Sequence, residues 1–269
     1  MTATLPSAVQ SVFERFLISE ITTVDERGQP LTWPVTPRYR VGATCIDIST
    51  QRADEARRNP QVALLFCDAA GSGLHDPPMV LVQGTAAAPE RGSDATELHV
   101  RPERVYVWPE SEPDAEPVLY DAHMEEVRSG HSEEPERYHA APEGGPSAWD
   151  SRLQGLGTRH PTAVLSIVSP DGFPFAVRVR VAIDAAARWI ELSHSPSGLP
   201  IAAGRACLAT DSHDDPGDAV QIRGDLVRVA GGWALIPHRI TEVRSAPRHP
   251  LSDRLGHLRD AAAGTLHRS

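Results

Sequence analysis

The chain has 269 residues, a net charge of −10 and 26 basic side chains, all of them arginine because the sequence contains no lysine. That length accommodates two domains with a core each, and the lack of lysine excludes a lysine Schiff base and a lysine-headed phosphate loop, leaving any phosphate to arginine. The negative charge is local, since Glu110 to Glu143 hold eleven acids and two arginines for a sum of −9; the remainder is near neutral and lacks the broad basic face that nucleic-acid binding needs.

In chain order, Ser7 to Leu17 places Val9, Val12, Phe13, Phe16 and Leu17 on one face at helical spacing, with Ser7 as N-cap, and predicts an amphipathic helix. Ile21 to Val24 reads as a strand, Asp25 to Gly28 as a turn, Leu31 to Arg40 as a second strand and Thr44 to Ser49 as a third. A short helix from Asp54 to Arg58 stops before Pro60, Val62 to Cys67 is apolar enough for a buried strand, and Met79 to Ala86 is the next strand. Val105 to Trp108 predicts a further strand and Tyr120 to Arg128 a short helix, within a Pro/Glu/Gly-rich stretch that reads as a solvated acidic connector. A helix from Ser147 to Leu156 follows, then strands Thr162 to Val168, Phe175 to Ile183, Trp189 to Ser193, Ala206 to Thr210 and Ala219 to Val229. Leu251, Leu255 and Leu258 mark one apolar face of a C-terminal helix.

The two halves repeat. Asp25-Glu26-Arg27-Gly28-Gln29-Pro30 matches Ser169-Pro170-Asp171-Gly172-Phe173-Pro174 at an offset of 144, and Ile46 to Thr50 matches Ile190 to His194 at the same offset. Val62 to Asp68 aligns with Arg205 to Asp211 at 143, and Val82-Gln83-Gly84 with Ile222-Arg223-Gly224 at 140. Two copies are too few for a solenoid. Many short strands, tight turns and one helical crossover per copy predict a mainly β protein of two small closed antiparallel barrels. The expected domains are a first barrel in 1–90, an acidic connector in 91–146, a second, degenerate barrel in 147–242 and a helical tail in 243–269.

Cys45, Cys67 and Cys207 sit singly in apolar runs, which predicts reduced thiols and a cytoplasmic protein. No export signal or membrane-spanning apolar run is recognisable. The twelve histidines form no HExxH, and no metal site is expected; His123, His131 and His139 fall in the connector, while His194, His213 and His238 are the candidates for a heme ligand. Arg223-Gly224-Asp225 spells a cell-adhesion tripeptide inside a predicted strand and reads as coincidence. The tryptophans, Trp33 and Trp108 among them, are expected in core or interface packing.

Ile46 to Asp68, IDISTQRADEARRNPQVALLFCD, resembles the flavin-binding split barrels related to pyridoxamine phosphate oxidase. In that family a strand ends in a Ser/Thr pair, a basic residue opens a short helix, and Asn-Pro leads into an apolar strand. The preceding DERGQP turn and the later VQG strand also match, so the resemblance covers most of residues 15–88 and, more faintly, 160–230. It implies two tandem six-stranded-type split barrels forming an internal pseudo-dimer, flavin mononucleotide (FMN) as cofactor, and an oxidoreductase whose chemistry the flavin supplies.

A flavin phosphate is neutralised by hydroxyls, backbone N–H groups and arginine, which points to the junction Ser49, Thr50, Gln51 and Arg52. The resemblance places the flavin ring against Pro34, Val35 and Thr36. The chain departs from the family in having only Gln51 between Thr50 and Arg52, Trp33 in place of a strand arginine, Met79 in place of a glutamine, and only a loose Pro237-His238-Arg239 echo of the oxidase's C-terminal motif. The contacts missing at Trp33 and Met79 favour the alternative of a non-catalytic barrel for a deazaflavin, heme or another small ligand, and the loose C-terminal echo argues against pyridoxamine phosphate oxidation itself. Family members are usually homodimers with flavin at the subunit interface, which implies a monomeric pseudo-dimer or a homodimer here. The expected partner is a small-molecule substrate or electron carrier, with no nucleic acid and no membrane. Arg178 and Arg180, at alternate positions of a second-copy strand, either line the barrel exterior or approach the ligand.

Overall fold

A computed structural model describes residues 5–39, 45–69, 72–88, 96–109, 115–121, 141–193, 199–210 and 219–242. The leading helix α1 (Ser7–Arg15) buries Val9, Val12 and Phe13, and Phe13 packs between Tyr39 and Phe66 with ring centroids 5.4 and 5.0 Å away. Its N-cap is Pro6, without a side-chain cap, rather than Ser7. Strands β1 (Ser19–Val24), β2 (Pro30–Arg38), β3 (Ile46–Ser49), β4 (Gln61–Phe66), β5 (Met79–Ala87) and β6 (Glu97–Trp108) follow, with α2 (Ala53–Arg58) as the crossover. They lie in the order β3-β2-β1-β4-β5-β6, and the pairing of β3 with β6 closes a six-stranded barrel, outside which β7 (Val118–Asp121) adds to β6.

The second half repeats this topology. Strands β8 (Thr162–Val168), β9 (Pro174–Asp184), β10 (Trp189–Ser193), β11 (Gly204–Ala209), β12 (Val220–Val229) and β13 (Gly232–Glu242) close in the order β10-β9-β8-β11-β12-β13. The expected mainly β class and the two tandem six-stranded barrels are therefore present.

β6 lies beyond residue 90, inside the stretch read as connector, because Arg101, Pro102, Glu103 and Arg104 interrupt its alternation. The register shifts between Gln83 and Gly84 of β5, where Glu103 is the extra residue of β6 and Pro102 faces Gly84; the same shift between Arg223 and Gly224 of β12 leaves His238 extra in β13 and sets Pro237 opposite Gly224. In both barrels the glycine is a steric requirement, since a Cβ on Gly84 would collide with the Arg101 carbonyl and one on Gly224 with the Ile236 carbonyl.

Strand pairing also corrects one register. Thr22 faces Ala63 and Ser166 faces Cys207, so β4 and β11 correspond at 144, one residue away from the sequence alignment. That slip matters because it exchanges the two faces of the strand. The unbroken apolar run of β4 now has a cause. Val62, Leu64 and Phe66 fill the first barrel, while Ala63 and Leu65 point outward into a core shared with Leu165, Phe175 and Leu208 of the second.

The barrels meet across a pseudo-two-fold axis. The Thr22 and Ser166 hydroxyls are 3.2 Å apart and are separated by 144 residues, so a pair of equivalent residues touches itself. Thr32 completes the group, 3.0 Å from Thr22 and 2.5 Å from Ser166, and all three side chains are buried. Around them β2 lies on β8 and β11, and β9 lies symmetrically on β1 and β4.

The predicted helix from Ser147 to Leu156 is not continuous. Residues 141–150 are without helix or strand, a 3-10 turn spans Ser151–Leu153, and only Leu156–Arg159 (α3) is α-helical. Asp150 caps the Arg152 N–H at 2.8 Å, and Gly155 separates the two short turns. The chain before them is tied to the second barrel through the buried Asp225 carboxylate, which accepts the N–H groups of Glu143 at 2.8 Å and Gly144 at 3.0 Å. Tyr120 and Asp121 belong to β7, not to a helix; the rest of that predicted helix, and the C-terminal one, lie outside the described residues. No helix of the described residues is long and apolar enough to cross a membrane.

Gly84→Ala and Gly224→Ala should each lower stability by about 1–3 kcal/mol, the usual cost of overpacking. Urea midpoints report it, and an unchanged midpoint in either variant would show that the bulge yields freely.

Candidate functional site

The predicted phosphate junction lies at the edge where β2 pairs with β3 and the chain turns into α2. Thr36 is directly opposite Ser49, and Pro34, Thr36, Ser49 and Gln51 are exposed. Val35 points the other way, into the first core, so only its backbone faces this edge. Thr50 is buried, with its N–H on the Thr96 carbonyl at 2.8 Å and its hydroxyl accepting the Arg52 N–H at 3.1 Å. Its acceptor capacity thus shapes the turn. Because α2 has six residues, little macrodipole is available, and an anion here depends on side-chain charge.

Arg52 provides that charge. Its guanidinium lies 4.5 Å over the Trp33 ring and 3.3 Å from the Glu55 carboxylate, which itself accepts the Thr23 hydroxyl at 3.1 Å. Trp33 thus carries an arginine on its face.

The second barrel completes this edge. The Thr32 carbonyl, next to Trp33, accepts the Gln221 amide at 2.9 Å, and Gln221 in turn accepts Arg223 Nε at 3.1 Å. Arg223 is the cross-strand neighbour of Arg239 on one side and of Cys207 on the other. The Arg223 guanidinium is held below its ordinary pKa, first by burial and then by the like charges of Arg239 and Arg52, with Cys207 and Asp25 acting in the opposite direction. Arg205 reaches across to donate to the Arg27 carbonyl. Trp33 Nε1 and Arg205 Nε are buried N–H donors with no acceptor among the described residues. Guanidinium forks and spare N–H donors make this a donor set suited to phosphate oxygens.

Sequence reading did not single out Arg205 or Arg223 for this edge. The signal existed, because the alignment at 140 sets Arg223 against Gln83, a cation where the first copy has an amide. Arg178 and Arg180 go elsewhere. Arg178 is half-buried between the barrels and donates to Thr162 at 3.1 Å and to Cys67 Sγ at 3.2 Å, while Arg180 is exposed.

Of the heme-ligand candidates, His194 and His213 lie outside the described residues, and His238 is bound to Asp225 at 2.9 Å. Cys45, Asp47 and His99 bring three potential metal-ligand atoms within 4.8 Å of one another on β3 and β6. Sequence reading missed this group because β6 was not recognised as the partner of β3; the 2.5 Å contact between Asp47 and His99 already satisfies both as a pair. Met79 is fully buried in the inter-barrel core and offers no polar contact.

Cys207 tests the environment of the seam. Burial pushes its thiol from 9.0 up to about 11. At pH 8 only about a thousandth is thiolate, so in the native protein an aromatic disulfide reagent should leave Cys207 unmodified while unfolding exposes all three cysteines. The folded pKa lies above the unfolded one, so this group's contribution is complete below about pH 9 and is lost as pH rises towards 11. Rapid native labelling of Cys207, mapped by mass spectrometry, would contradict this burial.

No protein-family model and no curated protein matches this chain. Among solved structures it is similar to a putative pyridoxamine 5'-phosphate oxidase from Listeria innocua, with 16% identity over 38% of this chain and 95% of the other and a TM-score of 0.30. It is likewise similar to a pyridoxamine 5'-phosphate oxidase-related, FMN-binding protein from Nostoc punctiforme (11% identity, 44% and 92% covered, TM-score 0.33). A third is HutZ, the heme storage protein of Vibrio cholerae (16% identity, 38% and 93% covered, TM-score 0.31). Each match spans less than half of this chain and nearly all of the other protein, and the chain itself holds two six-stranded split barrels in tandem.

Proposed function

We propose that this chain binds FMN in the seam between its barrels and passes electrons between the flavin and a small molecule, as a tandem relative of the pyridoxamine phosphate oxidase-like proteins. The observation that carries the reading is geometric: Arg52, within the family-like motif, stacks on Trp33, and the neighbouring Thr32 carbonyl holds Gln221 of the other barrel, to which Arg223 is bonded. Arg52 exchanges its exposed pairing with Glu55 for a phosphate, and Trp33 holds the guanidinium at that edge. Ser49 and Gln51 are exposed beside it for further hydrogen bonds, and the β2 edge at Pro34, Val35 and Thr36 offers backbone groups to the polar rim of the flavin ring. Gln221 fixes the second barrel against that edge through the Thr32 carbonyl. Bound flavin supplies the redox chemistry. The internal pseudo-dimer supports a monomer with a complete seam, and three cysteines outside any disulfide are in keeping with a reducing cytoplasm.

The test is an absorption spectrum of the purified protein, taken again after FMN is added and the unbound fraction removed. Retained flavin absorbance, with affinity reduced at least tenfold in Arg52→Ala, is expected. A wild-type protein that retains no flavin would end this reading, and a Soret band would replace it with heme.

A further inference from the structure

A tandem repeat packed about a pseudo-two-fold axis has two seams, related as Thr22 is to Ser166. Strand register defines what stands at equivalent places in each. Across the first barrel the outward row is Thr32, Thr22, Ala63, Gln83 and Arg104; across the second it is Ala176, Ser166, Cys207, Arg223 and Arg239. Arg104 and Arg239 are therefore structural counterparts, as are Gln83 and Arg223.

The two seams treat these counterparts differently. Where β9 faces the first barrel, Arg104 pairs with Asp171 at 2.5 Å and lies 4.6 Å over the Phe173 ring, and Gln83 donates to the Pro174 carbonyl at 2.9 Å. Arg178, the counterpart of Pro34 at the offset of 144, fills the strand edge and is bonded to Cys67 and Thr162. Where β2 faces the second barrel, the counterpart of Asp171 is Arg27 and that of Phe173 is Gln29. Arg239 has no acidic partner there among the described residues, Arg223 replaces the amide, and Pro34 leaves the strand edge exposed. Arg52, stacked on Trp33 beside the Thr32 carbonyl that holds Gln221, and Arg205, bonded to the Arg27 carbonyl, add further positive charge, against Glu55. Gathering like charges at a half-buried seam is unfavourable unless an anion joins them.

We propose that the chain is a one-site pseudo-dimer: Arg52, Arg223 and Arg239 together take one phosphate-bearing ligand at the first seam, while Arg178 and the Arg104–Asp171 pair have closed the second. The identity of that ligand as FMN rests on the reading above; the single anion site does not. A phosphate dianion matches the guanidinium forks and offsets the repulsion between Arg223, Arg239 and Arg52.

Isothermal titration of the full chain with FMN, and separately with inorganic pyrophosphate, tests this. One equivalent per chain is expected, weakened tenfold or more in Arg223→Gln, which places the first-copy amide in the second copy, and in the exposed Arg239→Gln, which keeps the proposal testable if the former fails to fold. Arg104→Gln, in the other seam, should leave the affinity within twofold. Two equivalents per chain, or wild-type affinity in folded Arg223→Gln or Arg239→Gln, would overturn the one-site assignment even if FMN binds. Pyrophosphate binding that depends on Arg223 without any FMN binding would keep the anion site and discard the flavin. Failure of both probes would discard both.

Discussion

Three buried hydroxyls hold the two halves in register. Thr22, Thr32 and Ser166 sit, fully buried, where the repeat meets itself, and each satisfies the others. A buried hydroxyl left unpaired costs about 1–3 kcal/mol, so a slide or rotation of one barrel on the other loses more than apolar contact. An apolar interface alone would tolerate neighbouring registers, and this one does not. Gln29, Gln83 and Gln221 extend the same principle outward, each donating its amide to a carbonyl of the opposite barrel.

This rigid joint allows the seams to diverge. In a homodimer every substitution appears at both interfaces, so a cation gained at one site is gained at the other. Fusion of two copies removes that constraint. Arg27 and Asp171 stand at matching turns with opposite charge, and Gln83 and Arg223 at matching strand positions with different charge. The bulges themselves are kept in both copies because backbone geometry, not ligand, demands them: each glycine passes within contact of the carbonyl opposite. Sterics thus preserved the barrel twice, while electrostatics was free to specialise once.

Asp225 shows how context decides the meaning of a motif. In sequence it ends an Arg-Gly-Asp tripeptide. In the fold it is buried, bonded to His238 and to two backbone N–H groups of the segment that enters the second barrel. It anchors chain to barrel and presents nothing to a receptor.

The duplication, the mainly β class, most strands and the strand-to-helix junction from Ser49 to Arg52 are legible in the residues alone, because these depend on local pattern: alternation, turn residues and a repeated order. The first half of β6 and all of β13 escaped it since a proline and charged residues at the bulge break their alternation, and the one-residue register of β11 escaped it since an apolar run has no face until a neighbour defines one. Only the tertiary structure tied Arg223, through Gln221, to the Thr32 carbonyl beside Trp33, and set Arg178 against Cys67. Those relations run between strands more than 100 residues apart, and side chains so distant in sequence become neighbours only through barrel closure and the packing of one barrel on the other.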